Sequence, residues 1–93
     1  MEDLIPTEYY LSQNYPNPFK EKTTIKYCLP EKVKVRIKVF DHEGKMVNEL
    51  INQEQDEGTY QVEFNGSDLK RGEYTYLIEA GSCVIRKKMI LTG

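Results

Sequence analysis

From Thr23 onward, hydrophobic and polar residues alternate with a period of two, and glycine, asparagine and aspartate fall at the breaks. That period belongs to half-buried strands and not to helices. The clearest stretch sets Val33, Val35, Ile37 and Val39 against Lys32, Lys34, Arg36 and Lys38. Successive strand side chains point to opposite faces, so one face of this strand belongs in a core and the other in water. Thr23 to Leu29 alternates in the same way, with Ile25, Tyr27 and Leu29 inward and Thr24, Lys26 and Cys28 outward, until Pro30 ends the run. Asp41 to Lys45 reads as a hairpin loop in which Gly44 takes a positive φ, and Met46 to Ile51 is predicted to return antiparallel. The acidic stretch from Asn52 to Gly58 reads as a loop. Tyr60, Val62 and Phe64 form the next strand, broken at Asn65-Gly66. After a connection from Asp68 to Gly72, Tyr74, Tyr76, Ile78 and Ala80 alternate with Glu73, Thr75, Leu77 and Glu79. A tight turn at Ala80-Gly81-Ser82 leads to the last strand, Cys83 to Leu91, with Arg86-Lys87-Lys88 in its middle.

With a further strand near Tyr9 to Ser12, this spacing predicts an all-β chain. The fold is a single immunoglobulin- or fibronectin-like antiparallel β-sandwich of about seven strands. A closed barrel is the alternative, since strand count and turn spacing do not separate the two. At 93 residues the chain holds one domain, residues 9–93, behind a linker remnant or added residues over 1–8. No apolar run approaches the roughly 18 residues of a spanning helix, so no membrane insertion is expected. The net charge of -2 offers no global attraction to nucleic acid, and no nucleic-acid motif is present. Met1 to Pro6 lacks the basic start and apolar stretch of a secretory signal.

Candidate chemistry is sparse. Cys28 and Cys83 fit either one disulfide or two unrelated thiols, and their opposite strand phases favour thiols. Two cysteines with the distant His42 do not make a zinc motif. His42 sits in a turn with no serine or cysteine placed beside it, so no enzyme and no cofactor is expected. Asp41, Glu43, Asp56, Glu57 and Asp68 are loop carboxylates whose spacing matches no calcium motif. The basic row Lys32, Lys34, Arg36 and Lys38, with Arg86-Lys87-Lys88, would form an anion-binding face if their strands were neighbours. The favoured reading is that outward lysines keep a sheet soluble and unpaired, with Glu73 and Glu79 as cross-strand partners. Tyr60, Tyr74 and Tyr76 share the phase of the core, which points to packing and not to a sugar-stacking platform.

The segment Leu11-Ser12-Gln13-Asn14-Tyr15-Pro16-Asn17-Pro18-Phe19 falls outside the alternation. Pro16 and Pro18 fix φ and push Tyr15 and Asn17 toward extended geometry, which predicts a stiff loop. Tyr15 and Phe19 are expected to fasten it by burying their rings.

This segment, followed by Thr23-Thr24-Ile25-x-Tyr27-x-Leu29-Pro30, resembles the type A C-terminal sorting domain of the type IX (Por) secretion system of Bacteroidetes-type bacteria. Later elements agree in order: Val39-Phe40-Asp41-x-x-Gly44-Lys45 with Val47, Gly58-x-Tyr60-x-Val62, Gly72-x-Tyr74, and Lys88-Met89-Ile90-Leu91. Lys20-Glu21-Lys22 departs from the usual Asn-Pro-Ser/Thr after Phe19. The resemblance implies a non-catalytic label that directs a parent protein across the outer membrane. Its partners would be the type IX translocon and sortase-like outer-membrane components. The implied route is the periplasm in transit, then secretion or the cell surface. The implied motif loop is Gln13, Asn14, Tyr15, Pro16, Asn17, Pro18 and Phe19. The expected recognition surface lies at the other end of the chain, in Gly72, Tyr74, Lys87, Lys88, Met89, Ile90 and Leu91. The competing readings are a carbohydrate- or surface-binding accessory module and a structural spacer.

Overall fold

In the computed structural model, which describes residues 6–92, the apolar row of Val35, Ile37 and Val39 is fully buried at the centre of the molecule. Seven strands surround that row: β1 (Tyr10–Leu11), β2 (Lys22–Leu29), β3 (Val33–Phe40), β4 (Met46–Gln55), β5 (Gly58–Asn65), β6 (Gly72–Ala80) and β7 (Cys83–Leu91). They form a three-stranded sheet in the order β1-β2-β5 and a four-stranded sheet in the order β4-β3-β6-β7, with every pairing antiparallel. Neither sheet closes on the other, so the fold is an open sandwich and not a barrel. The expected linker over residues 1–8 lies largely outside the described residues.

Each sheet turns its apolar phase inward. Ile25, Tyr27 and Leu29 of β2 and Phe64 of β5 meet Val35, Ile37, Val39, Tyr76, Ile78 and Met89 across the sandwich. Each such side chain contributes about 1.5–3 kcal/mol by leaving water. The core tyrosines bury their rings and keep their hydroxyls bonded at the margin, as an amphipathic ring requires. Tyr27 donates to Gln55 Oε1 at 2.6 Å, Tyr76 to the Ser12 carbonyl at 2.6 Å, and Tyr74 to the Lys70 carbonyl at 2.6 Å. The Tyr74 bond, reaching four residues back at the start of β6, is the corner clamp of immunoglobulin-like sandwiches.

Two local expectations differ from the structure. The strand expected to end at Ile51 continues to Gln55, because β3 extends to Val33 and its backbone groups need partners; Val33 pairs with Gln55 and Lys34 with Glu54. As an edge strand, β4 tolerates the polar sequence that looked like a loop. Leu77 has the outward phase, yet is only 6% exposed. It stands between its register neighbours Lys38 and Arg86, whose long stems can cover apolar surface. Cys28 and Cys83 are both free and lie in different sheets.

Burial pushes the Tyr76 hydroxyl up to about 12 from its ordinary 10.0. Between pH 10 and about 12 the unfolded chain has lost a proton that the folded chain keeps, so stability falls as pH rises through that window. Tyr76→Phe is expected to lower stability at neutral pH by about 1 kcal/mol, the hydrogen bond to Ser12 being lost. Urea denaturation across the alkaline window should then show a smaller loss for the variant than for the parent; equal losses would remove Tyr76 as the responsible group.

Candidate functional site

The proline loop is built from the inside by Asn14, whose amide is buried at 2% exposure. Its Nδ2 donates to Thr23 Oγ1 at 3.0 Å and to the Pro16 carbonyl at 3.1 Å, while its Oδ1 accepts from Gln13 Nε2 at 2.7 Å. Thr23 Oγ1 donates in turn to the same Pro16 carbonyl at 2.8 Å. A short asparagine can supply this local turn chemistry because its donor and acceptor sit at one tip. Tyr15 exchanges two backbone hydrogen bonds with Thr24, at 2.9 and 2.8 Å. Both the Tyr15-Pro16 and Asn17-Pro18 bonds are cis.

Only one of the two expected aromatic anchors is buried. Phe19 is 1% exposed and meets Phe64 edge to face, with ring centroids 6.1 Å apart. Tyr15 is 80% exposed. Its backbone is pinned to Thr24 while Asn14 and Thr23 take the inward positions, so the ring is left in solvent. Gly66 completes the socket for Phe19: a Cβ there would stand 3.3 Å from Leu91, 3.4 Å from Phe19 and 3.5 Å from Phe64.

The loop and the last strand, at opposite ends of the chain in sequence, are one assembly in the fold. Gln13 Nε2 donates to the Lys88 carbonyl at 2.6 Å, and the Ile90 amide donates to Asn17 Oδ1 at 2.9 Å. The Phe19 amide donates to the Ile90 carbonyl at 2.9 Å, and the Thr92 amide donates to the Phe19 carbonyl at 2.8 Å. Phe19 and Leu91 thereby form a parallel bridge. The loop straps the outer edge of β7, the edge strand of the four-stranded sheet. No period in the sequence connects residues this far apart; the only local signal was that Gln13 and Asn17 carry short polar tips able to replace a strand's hydrogen bonds.

Around this strap the expected recognition residues divide by exposure. Met89 and Leu91 are buried in the core, and Tyr74 is buried as the corner clamp. Gly72 pairs with Leu91 and has φ 144°, a backbone conformation that L side chains rarely adopt. Ile90 and Lys87 are half-buried, and Lys88 is exposed with Nζ 3.7 Å from Glu73. The basic row of β3 and the basic run of β7 share a sheet but are not neighbours, because β6 runs between them. Glu79 of β6 takes Lys38 at 3.0 Å, and Glu49 of β4 takes Arg36 at 2.8 Å. That face is therefore an alternating charge lattice.

The remaining candidates serve local structure. Asp41 Oδ1 accepts from the Lys45 and Glu43 amides, both at 2.9 Å, and these bonds hold its carboxyl below the ordinary carboxylate range. Gly44 beside it has φ 84°. Among the described residues, no three His, Cys, Asp or Glu side chains gather as a metal site. A hollow of about 370 Å³ over Phe40, His42, Leu77, Arg86 and Lys88 is open to solvent and mixed in charge.

Among known protein families, the secretion system C-terminal sorting domain matches residues 13–92. The match runs from the first residue of the strap that touches β7 to the residue that closes on Phe19. No curated protein matches the chain significantly.

The strap orders the cost of three substitutions. Phe19→Ala empties an aromatic socket and should lower stability by about 3–5 kcal/mol. Asn14→Ala removes three hydrogen bonds, to Thr23, Pro16 and Gln13, and should cost about 1–3 kcal/mol. Tyr15→Ala should fall within about 0.5 kcal/mol, as an exposed side chain does. Chemical denaturation of the three variants checks the order, and a Tyr15 effect equal to that of Asn14 would contradict it.

Proposed function

We propose that this chain, which belongs to the type IX secretion system C-terminal sorting domain family, is a non-catalytic label for export of a parent protein. Membership of that family implies transport across the outer membrane, to secretion or to the cell surface. The finer reading is that the folded label passes through the periplasm, is recognised by the translocon, and is then handled by sortase-like outer-membrane components. The observation that supports it is the physical union of the motif loop with the last strand: Gln13, Asn17 and Phe19 hold Lys88 and Ile90 in place. The residues that carry the family resemblance are those that hold the C-terminal strand in place.

In this reading the recognition set works at two depths. Gly72, Tyr74, Met89 and Leu91 hold β7 from within, and Lys87, Lys88 and Ile90 are what the strand offers a receptor. A rigid edge strand suits this task, because main-chain hydrogen bonds supply affinity while alternate side chains supply selectivity.

Fusion of residues 9–93 to a periplasmic reporter is expected to export that reporter only in a strain with an intact type IX system. Lys88→Glu, at an exposed position, should reduce export while the domain stays folded, the lost pair with Glu73 costing no more than about 1 kcal/mol. Retention of the parent fusion in the periplasm of the intact strain would sink the sorting function. Full export of a Lys87→Glu, Lys88→Glu double variant would remove those two side chains from the recognition set.

A further inference from the structure

We propose that the open part of the β7 edge, from Val84 to Lys87, takes an acidic extended segment of a receptor protein as an added strand, and that the proline strap fixes where that strand stops. The inference rests on the sorting function and names the chemistry of the partner.

Backbone parity defines the open part. In an antiparallel pair, successive residues direct their backbone groups alternately to the partner strand and away from it. Ile90 directs both its amide and its carbonyl away from β6, to Asn17 and Phe19, and Lys88 directs its carbonyl to Gln13. Arg86 and Val84 share that parity. Their amides and carbonyls point away from β6 beyond the reach of the strap and have no backbone partner there; β1 passes close to β7 on this side but is hydrogen-bonded to β2 instead. The edge is therefore closed at Lys88 to Leu91 and open before it. At a strand rise near 3.3 Å per residue, Val84 to Lys87 offers roughly 13 Å, enough for a short added strand.

Charge selects the occupant. Arg86 and Lys87 form no ion pair among the described residues, whereas Lys88 is already opposite Glu73. The two cations lie on opposite faces of β7, and Val84, 50% exposed, adds an apolar contact beside them. A second copy of β7 would bring basic residues against basic residues, which is unfavourable across a strand pair. An acidic strand finds a cation on either face. The competing edges offer it no cation: β1, β4 and β5 carry no lysine or arginine, and their glutamates Glu49, Glu54 and Glu63 are already paired with Arg36, Lys32 and Lys22. The basic run thus rejects wrong partners and attracts one class.

The full chain, labelled for NMR, tests this with a blocked peptide of about six residues in which pairs of adjacent glutamates are separated by single valines, so that carboxylates fall on both faces of the strand and its length covers the open edge. The peptide is expected to slow hydrogen exchange at the Val84 and Arg86 amides, and its lysine-for-glutamate counterpart is not. Arg86→Glu should weaken the peptide by about threefold or more, the scale of an exposed ion pair. Val84→Pro removes an outward amide without breaking a β6 hydrogen bond, and should abolish protection while the domain stays folded. Equal protection by both peptides, protection at β4 or β5 instead, or protection that grows with protein concentration alone would each overturn the proposal. In the export assay, Arg86→Glu and Val84→Pro fusions should be retained. Their normal export beside a normally exported parent fusion would overturn this inference and leave the sorting function standing, whereas failure of the parent fusion would fall on the sorting function itself.

Discussion

Phe19 is the point at which the two ends of the chain hold each other. Its amide and carbonyl bond to Ile90 and Thr92, and its ring fills a socket made by Phe64, Leu91 and the missing side chain of Gly66. These contacts do different work. The ring supplies burial, which is large and nondirectional, and the backbone pair supplies register, which is modest in energy and strict in geometry. Without the ring the loop has no anchor in the core. Without the backbone pair, the end of β7 has one ladder instead of two. The position of every residue from Lys88 onward depends on both.

A sandwich must manage the exposed edges of its sheets, and β7 manages its own in two ways. Its distal half is covered by a non-strand segment that imitates a strand, with Gln13 and Asn17 side chains standing where backbone groups would be. The rest has no hydrogen-bonded partner on that side and carries Arg86 and Lys87. This division explains why a loop with two prolines is useful beside a strand: proline lacks the amide with which a strand would extend its ladder. The covering ends where the cationic run begins.

The strands were legible in the sequence because their period is local. Val33 to Val39 declares its two faces within seven residues, and the fold class follows from several such runs. What was hidden depended on neighbours. Asn52 to Gln55 looks like a loop by composition and becomes strand because β3 needs its backbone partners. Leu77 has an outward phase and is buried because Lys38 and Arg86 flank it. Tyr15 resembles Phe19 as an aromatic beside proline, but only Phe19 has a socket. The union of the loop with β7 was hidden most completely, since it joins the two ends of the chain, Gln13 to Lys88, Asn17 to Ile90 and Phe19 to Leu91, through two side-chain tips and one parallel bridge. Sequence adjacency made the loop seem an emblem of the family, while the contacts make it part of the candidate site.

The burial of Met89 and Leu91 separates two ways in which the end of such a chain can matter to a receptor. A receptor that read their side chains would need β7 peeled from the core, at a cost of several kcal/mol for the two together, before any contact was made. A receptor that reads the edge needs no such opening, because the outward backbone groups of Val84 and Arg86 have no partner in the fold and the strap already holds the end of the strand. Binding without reorganisation retains the full interaction energy, which favours a label read as a folded surface over one read as a linear tail. On this account the terminal apolar residues matter through the shape they hold, and the motif loop matters for the same reason from the other side of the strand.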